Sequence, residues 1–559
     1  MDLSAANGER IAELEAALAA ERQLLAAERV QVAQLTQERD RLRSSHEALR
    51  IELELLKRRL FVAKAERIDT EQLELEFAAT LAALDKLAGM SPLPHEESED
   101  DKKATKIKPK GRRDIRKLAL EEERIEISDP LFEKLVAEGK AEQIGYEESC
   151  KLGFKRGGFR RVVVARVKYQ ATDNQGESCV ETALMPPELL PRSLAAPSLL
   201  AHIVADKCCD GLPLFAIEDR FARMGVPLDR GMMSRWLEEI GGAVGPTILA
   251  AAKKDALATA FCISTDATGI SVQPTPRPDK KRQACRRGHY FVLLADKDHV
   301  FFEYTPHETS AFVAEMLEGY EGYIQADAKS VYDILFRKPG EKDAVGDDLD
   351  RTEVGCWGHC RRGFWEATVA KSAVAREGLA RIGRIFALEE AWRGDTPETI
   401  LRLRQAHLRP HLEEFFRWVA EEYPKVQDQR GLLRSAFGYA TRQRAALMTV
   451  LEDGRLVLDN NASERALRKI AIGRKRWLFV GSDLHAQSTA NLFSLIASAR
   501  LHAHEPEEYL RDIIRVLPHW PKDRYLELSP KYWAATRVRI DPAELAAEVG
   551  YLTVPSTTP

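Results

Sequence analysis

Cysteine and long apolar runs are both scarce in this sequence. Only 8 of the 559 residues are cysteine, and no apolar run approaches the roughly 20 residues that a membrane-spanning helix needs. So few cysteines exclude a dense disulfide framework, and we expect free thiols in a reducing compartment. The first residues, Met1-Asp2-Leu3, lack the basic and apolar regions of a secretory signal. We therefore expect a cytoplasmic protein with no membrane partner.

A strong excess of charge of either sign is also absent. The chain has 83 lysine and arginine residues against 87 aspartate and glutamate residues, which leaves a net charge of -4. This balance excludes a protein that coats nucleic acid over its whole surface, although local basic patches remain. A chain of this length is too long for one hydrophobic core, so we expect several domains.

Residues 9–67 carry a heptad repeat of apolar residues. The two seam positions are filled by Ile11, Leu18, Leu25, Val32, Leu53 and Leu60, and by Leu14, Leu35, Leu42, Leu49 and Leu56. The seams are interrupted at Arg39 and His46 and at Glu21 and Glu28, which costs stability but can fix the register. Sustained heptads with charged flanks favour self-association through a coiled coil. The alternative is one amphipathic helix packed on its own protein.

The next two segments differ sharply in composition. Residues 89–112 have an acidic run followed by a basic run, with too few apolar residues to offset the entropy of ordering, so we predict a charged linker. Its basic half is alternatively an arm that contacts phosphates. Residues 113–192 carry short β-like runs, of which Arg161–Val167 is the clearest, and predict a small, partly β module.

Residues 193–245 have the pattern of a helix-turn-helix domain. Helices are predicted from about Pro197 to Cys208, from near Pro213 and from about Asp229. Gly225 permits a positive φ in the turn before the third helix. That helix leaves three polar side chains for its outer face, as in a recognition helix that contacts DNA: Arg230, Ser234 and Arg235. An ordinary three-helix packing unit is the alternative.

From residue 258 the pattern changes to strands. Strands are predicted at Phe261–Asp266, His289–Ala295, Val300–Tyr304, Tyr323–Asp327 and Val354–Trp357, with helices at 309–320 and Ser330–Phe336. A three-stranded meander followed by alternating helix and strand is the order of an RNase H-like α/β domain. In that sheet the first and fourth strands are neighbours, so Asp266 and Asp327, at the ends of these strands, are expected to lie close together.

A third acid is predicted on a later helix. Glu464 falls in the first turn of a helix that Asn461 or Ser463 can cap. Three carboxylates suit two Mg²⁺ ions, with Mn²⁺ as a substitute, and such ions support phosphodiester cleavage. Taken singly, each acid is more often a turn, cap or helix-dipole residue. Asp459 is the rival of Glu464, and Asp333 is a weaker rival of Asp327. Cations that follow Glu464 are predicted to contact phosphates: Arg465, Arg468, Arg474, Lys475 and Arg476.

Several of these stretches resemble the IS66 family of bacterial insertion-sequence transposases. The most specific is Asp459–Arg468 with its continuation through Gly473–Lys475 and Trp477–Ser482, and further matches are Thr265–Thr268, Gln325–Asp327, Cys356–Phe364, Leu56–Phe61 and Lys64–Arg67. The resemblance covers nearly the whole chain. It implies a multidomain α+β protein with a leucine zipper, a zinc-binding module, a helix-turn-helix domain and a DDE catalytic domain of RNase H-like fold.

The implied boundaries follow the changes in composition. The coiled-coil region takes residues 1–88, the linker 89–112, the module 113–192 and the helix-turn-helix domain 193–245. The DDE domain takes residues 246–504, with a helical insertion at about 366–452, and a C-terminal segment takes 505–559. The acids implied as catalytic and metal-binding are Asp266, Asp327 and Glu464.

One departure from the family concerns zinc. Its module usually carries CxxC ligands, but here only Cys150 and Cys179 remain, and a structural zinc site needs four ligands. We therefore predict a degenerate module without zinc. Cys356, His359 and Cys360, on a predicted strand, cannot all point the same way, so no zinc is predicted there either. Three side chains of this motif are instead predicted to approach the substrate phosphates: His359, Arg361 and Arg362.

Together these observations predict a transposase that binds the terminal inverted repeats of its element and catalyses Mg²⁺-dependent DNA cleavage and strand transfer. The expected partners are the element ends, the target DNA, a second copy bound through the coiled coil, and accessory proteins of the same element. Association with the nucleoid follows. Two alternatives stay open: an RNase H-like nuclease without strand transfer, and a catalytically silent DNA-binding protein derived from a transposase.

Overall fold

A computed structural model describes residues 120–155, 157–172, 178–274, 283–337, 349–368, 372–428 and 430–556. The predicted coiled coil and charged linker lie outside these residues. The described residues form a mixed α+β structure with two mixed β-sheets. No helix among them is long and apolar enough to cross a bilayer.

The first sheet is built around one long strand. Its elements are β1 (Glu121–Ile127), α1 (Pro130–Ala137), β2 (Ala141–Lys155), β3 (Gly158–Thr172) and β4 (Ser178–Thr182). Strand β2 runs antiparallel to β3, while β1 pairs in parallel with the first part of β3 and β4 pairs antiparallel with its last part. The predicted strand Arg161–Val167 is confirmed as part of β3, where Val162 and Val164 are fully buried.

Three helices follow at nearly the predicted positions: α2 (Pro197–Cys208), α3 (Leu214–Arg223) and α4 (Arg230–Val244). Asp229 caps α4, since its carboxylate accepts hydrogen bonds from the amides of its second and third residues. Gly225 has the predicted positive φ, of +79°. Buried Phe221, Trp236 and Leu237 join the helices in one core, while Arg230 and Arg235 stay exposed. A single π-helical turn then leads into α5 (Ala250–Thr259).

The second sheet contains five strands, and its first and fourth strands are placed as predicted. Its elements are β5 (Cys262–Val272), β6 (Arg286–Ala295), β7 (His299–Thr305), α6 (Ser310–Met316), β8 (Gly322–Gln325) and β9 (Arg351–Val354). The order across the sheet is β7-β6-β5-β8-β9, with an antiparallel meander of β5, β6 and β7 and with β8 and β9 added in parallel. The first and fourth strands of the domain are therefore neighbours, as predicted.

Some predicted bounds in this region are wrong. Strand β5 does not end at Asp266 but continues to Val272, because its second half pairs with β6 in a long hairpin. Helix α6 is shorter than predicted, and the segment after β8 forms only a 3₁₀ turn at Asp333–Phe336. The predicted strand Val354–Trp357 is also misplaced, since β9 ends at Val354 and a helix begins at Trp357.

A helical region separates this sheet from the helix that carries Glu464. It comprises α7 (Trp357–Ala367), α8 (Ala373–Ala391), α9 (Pro397–Leu403), α10 (Arg409–Glu422), α11 (Leu432–Arg442) and α12 (Arg444–Met448). It has its own aromatic core, in which Phe364 contacts Phe415, Trp418 and Phe437. The buried Arg404 connects parts of this helical region by donating hydrogen bonds to Glu389 and to the carbonyls of Val450 and Leu456.

The remaining helices are α13 (Asn461–Trp477), α14 (Asp483–Leu501), α15 (Pro506–Val516), α16 (Pro530–Arg537) and α17 (Pro542–Ala546). Helix α14 lies against β7, where Ser494 Oγ and Ser498 Oγ accept from the amides of Phe302 and Val300 at 2.7 and 2.9 Å. Helix α4 crosses α14 at Gly241, where a side chain would collide with the backbone of Ser488. The three-helix unit is thus packed directly on the layer that covers the sheet.

Candidate active site

Asp266 and Asp327 lie side by side on neighbouring strands. The last aligned pair of the parallel strands β5 and β8 is Ser264 and Gln325, whose side chains approach to 3.5 Å. Asp266 lies two residues beyond Ser264 within β5, and Asp327 lies two residues beyond Gln325, just past the end of β8. Burial raises the pKa of the Asp266 carboxyl, and the charge of Asp327 acts in the same direction. The two carboxylates therefore share one site where the parallel pairing ends.

A lysine lies between these acids and a further glutamate. Lys329 Nζ is 3.5 Å from Asp327 Oδ2 and 3.4 Å from Glu308 Oε1, and His289 Nδ1 is 3.5 Å from Glu308 Oε2. Burial alone would lower the pKa of Lys329, but the carboxylates of Asp327, Glu308 and Asp266 raise it. Lys329 and Glu308 were not predicted as site residues from the sequence. The available signal was a lysine two residues after a predicted catalytic acid.

Glu464 lies in the first turn of α13, as predicted, but its carboxylate is bonded to α7. Arg362 Nη2 donates to both carboxylate oxygens of Glu464, at 2.8 and 3.0 Å. His359 Nε2 lies 3.6 Å from Glu464 Oε1, and it is near enough to Asp266 to offset a part of the increase that burial causes in the pKa of that carboxyl. Both side chains were predicted to approach phosphates; His359 lies near Glu464 and Asp266, and Arg362 is paired with Glu464.

The motif Cys356–Phe364 is a helix and not the predicted strand, which changes how its side chains are oriented. His359 and Arg362 are three residues apart and share a helix face toward Glu464. Cys356 and Cys360 lie on the buried side, and burial raises the pKa of both thiols, to about 11 for Cys356. Buried neutral thiols behave as small core side chains. Arg361, which is exposed, lies over the ring of Phe386 at 5.5 Å.

Asn460 connects strand β5 with the starts of helices α7 and α13. Its side-chain amide donates to the carbonyl of Thr265 at 2.7 Å, directly before Asp266 in β5. Its backbone amide donates to Cys356 Sγ at 3.3 Å, at the start of α7. Since Asn460 is also the residue before α13, one buried residue connects the strand of Asp266, through its side chain, with the helices of Arg362 and Glu464, through its backbone. No role was predicted for Asn460 from the sequence, although it lies in the most specific motif.

The predicted cap of α13 is wrong. Neither Asn461 nor Ser463 caps the helix, because Asn461 donates its side-chain amide to Asp459 at 2.6 Å and Ser463 is buried with an unpaired hydroxyl. Asp459 also accepts the backbone amide of Asn461 at 3.1 Å, so this rival of Glu464 closes the turn before the helix. Asp333, the rival of Asp327, is exposed in the 3₁₀ turn.

The carboxylates of the site are partly suited to divalent cations. In the part of the chain that the structure describes, no group of three or more His, Cys, Asp or Glu side chains is close enough to bind a metal ion. Asp266 and Asp327 nevertheless supply the hard oxygen atoms that Mg²⁺ prefers. Asp327 Oδ1 is buried without a hydrogen-bond partner, which is costly unless a ligand compensates. The aspartate pair fits such an ion, whereas Glu464 is paired with Arg362 and does not complete a group of three with the aspartates.

The other predicted DNA contacts fall on two helices. On α4, Arg230 and Arg235 are exposed and Ser234 is half-buried. On α13, four cations are exposed: Arg465, Arg468, Lys475 and Arg476. Arg476 also donates to the carbonyl of Asp210, at 3.0 Å. Arg474 is different, because it donates to Thr268 Oγ1 at 3.1 Å and to the carbonyl of Gly269, and so attaches α13 to β5.

Comparison with known proteins gives two family matches. Residues 192–488, more than half of the chain, match the model "Transposase IS66 family", and residues 494–530 match "IS66 C-terminal element". Uncharacterized protein y4hP of Sinorhizobium fredii is 24% identical over 515 residues, which are 87% of this chain and 88% of that protein. Uncharacterized protein y4qI of the same species is 27% identical over 396 residues, 69% of this chain and 71% of that protein. No solved structure matches the chain.

Proposed function

This chain belongs to the IS66 family of transposases, and we propose that it binds the terminal inverted repeats of an insertion sequence and catalyses Mg²⁺-dependent DNA cleavage and strand transfer. The observation that carries this proposal is the pair of aspartates at the end of the parallel strands, together with the connection of the Glu464 helix to the strand of Asp266. Asp266 and Asp327 are neighbours in the sheet, and Asn460 ties the start of the Glu464 helix to the residue before Asp266. The strand order, a meander extended by parallel strands, supports an RNase H-like catalytic domain.

In this proposal Asp266, Asp327 and Glu464 would hold two Mg²⁺ ions, or Mn²⁺ in their place. Such ions neutralise the charge of the phosphate and activate the attacking oxygen in phosphodiester cleavage. The unpartnered Oδ1 of Asp327 favours this role for the aspartates. Glu464 would join them by exchanging Arg362 for an ion. Arg362 is about half exposed, at 48%, so its guanidinium is free to turn toward bound DNA.

The proposed chemistry consists of two in-line displacements at phosphorus. Water first frees a 3′ hydroxyl at the end of the element, and this hydroxyl then attacks target DNA. Reactions of this kind depend mainly on positioning and on charge stabilisation. Lys329, His359 and Arg362 surround the acids and can donate hydrogen bonds to phosphate oxygens, while Asn460 keeps the strand and helix in register.

Recognition of the element ends is assigned to α2, α3 and α4. Helix α4 presents Arg230, Ser234 and Arg235 in the manner of a recognition helix, and Asp229 fixes its first turn. Because α4 packs on α14 at Gly241, DNA bound by α4 is held at a fixed position relative to the catalytic sheet. The predicted coiled coil would pair two copies so that two ends are held together.

The proposal is tested with labelled DNA that carries the inverted repeats of the element, incubated with purified protein and Mg²⁺. Cleavage at the end of the element is expected for the wild type and for Asp333→Ala, which removes an exposed aspartate six residues after Asp327. Asp266→Ala and Glu464→Ala should abolish cleavage and retain DNA binding. Cleavage that survives Glu464→Ala would reject the third acid, and cleavage without strand-transfer products would favour the nuclease alternative.

A further inference from the structure

The turn after α13 exposes two large apolar side chains. Leu478 is 67% exposed and Phe479 is 45% exposed, although the residues on either side, Trp477 and Val480, are buried. Exposed apolar residues are common when they occur singly, but two adjacent ones between buried anchors form a projecting apolar tip. We refer to Leu478 and Phe479 as the apolar tip.

The backbone of the apolar tip is held firmly in an unusual conformation. The amide of Leu478 donates to the carbonyl of Arg474 at 3.0 Å, and that of Val480 donates to the carbonyl of Ser271 at 2.9 Å. Leu478 has φ of 64° and ψ of -46°, a conformation that residues with a side chain rarely adopt. Such strain persists where the surroundings enforce it, and it is concentrated at functional sites. Leu478 is strained although its side chain is not buried, so core packing does not account for this conformation.

Positive charge leads from the proposed catalytic site to the apolar tip. Arg465, Arg468 and Lys475 lie on the exposed face of α13 at helical spacing, and Arg476 is exposed beside the tip. Glu464 and Leu478 are separated by about 21 Å along the helix, at 1.5 Å per residue. This length corresponds to roughly six base-pair steps of 3.4 Å. If the phosphates of a DNA end bind along these cations, starting at the acids, the bases roughly six steps away would lie at the apolar tip.

We propose that Leu478 and Phe479 insert into the base stack of bound DNA and pack against an unpaired base roughly six base pairs from the cleavage position. This inference rests on the proposed function, because it takes DNA as the ligand. The occupant is chosen by charge and shape, since cations flank an apolar tip and DNA offers apolar base faces between phosphates. Apolar wedges unstack base steps in this way, and aromatic rings stack on bases of any sequence.

The test compares two duplexes of the element end that differ only in a mismatch placed roughly six base pairs from the cleavage position. Binding is measured with EDTA present, so that no cleavage occurs. The wild type should prefer the mismatched duplex by about tenfold, the usual effect of one stacked base. Phe479→Ala should remove the preference while binding the paired duplex normally. Val538→Ala truncates an apolar side chain that is 83% exposed in the C-terminal segment, and it should keep the preference.

Leu478→Gly separates folding from DNA binding. Glycine adopts positive φ without strain, so this variant should unfold at the wild-type temperature or above it and still lose part of the preference. The inference is overturned if the wild type binds both duplexes equally, or if both tip variants keep the preference. It is also overturned if Phe479→Ala changes the sedimentation of the protein but not its preference, because the tip would then contact a second copy.

The outcome for the proposed function is read separately. Asp266→Ala should keep the mismatch preference, because that measurement needs no catalysis. Wild-type protein that shows the preference but never cleaves DNA in Mg²⁺ would support the apolar tip and reject the catalytic proposal. Wild-type protein that cleaves the element end but shows no mismatch preference would support the catalytic proposal and reject the apolar tip.

Discussion

The aspartates and the glutamate of the proposed site are held in place by different kinds of structure. Asp266 lies within β5, whose backbone pairs with β6 from Ile263 to Val272, and Asp327 lies two residues past the end of β8. Their separation is set by strand register. Glu464 lies on a helix that reaches the site through side-chain contacts of Asn460 and Arg362. Backbone pairing therefore fixes two acids, while side chains position the third.

This difference indicates which acid can change partners. Moving Asp266 would break the hydrogen bonds between β5 and β6. Releasing Glu464 from Arg362 breaks one ion pair between partly exposed side chains, and such pairs contribute only about 0–1 kcal/mol. The glutamate is therefore the acid that can exchange its cation when DNA and metal ions bind. Four substitutions test this comparison.

The largest effect on cleavage is expected at the aspartates, which the strands position. Asp327→Asn keeps the shape of the side chain but removes the charge, and it should lower cleavage by roughly a thousandfold, because several kcal/mol of transition-state stabilisation are lost. Single-turnover cleavage of end-labelled DNA measures the effect. Asp333→Asn, six residues further along the chain, is the control and should cleave normally. Equal losses in the two variants would show that the sheet does not select Asp327.

The next effect is expected at the link between the two regions. Asn460→Asp has the same shape but cannot donate to the carbonyl of Thr265, so the start of α13 should shift relative to β5. A misplacement of about 1 Å costs roughly a hundredfold in rate. Cleavage should fall by that amount, and the free energy of unfolding by roughly 1–3 kcal/mol for a buried group left unpaired. A stability loss with unchanged cleavage would mean that Asn460 does not position Glu464.

A smaller effect on cleavage is expected at Arg362, which pairs with the glutamate on helix α13. Arg362→Gln frees the Glu464 carboxylate, so the DNA-free protein should bind Mn²⁺ more tightly, which calorimetry can measure. Cleavage should nevertheless fall by roughly tenfold, because one charge-assisted contact with phosphate is lost. Arg361→Gln, at the neighbouring exposed arginine, is the control and should leave Mn²⁺ binding unchanged. Unchanged Mn²⁺ binding in Arg362→Gln would show that this arginine does not compete with the ion.

The contrast between strand and helix also explains what the sequence predicts. That β5 and β8 are neighbours was predictable, because apolar segments ending near polar turns followed one another along the chain in a recognisable order. The helix α7 was missed although its period was present, since Trp357, Cys360 and Phe364 are buried at helical spacing. Its cysteine and aromatic residues resembled a strand. The contact of Arg362 with Glu464 joins residues far apart in the chain, so only tertiary packing reveals it.

The smallest effect is expected at Lys329, whose ammonium lies among the acids where a metal ion would also be attracted. Lys329→Met should lower the unfolding temperature of the metal-free protein by about 1–3 °C, because this partly exposed cation is screened by water and contributes roughly 1 kcal/mol. Mg²⁺ should then restore more stability to this variant than to the wild type, as measured by calorimetry. Lys253→Met removes a different ion pair, with Glu303 on β7, and should lose stability without any change in the Mg²⁺ effect. Equal Mg²⁺ effects in both variants would place the ion away from Lys329 and hence away from the aspartates.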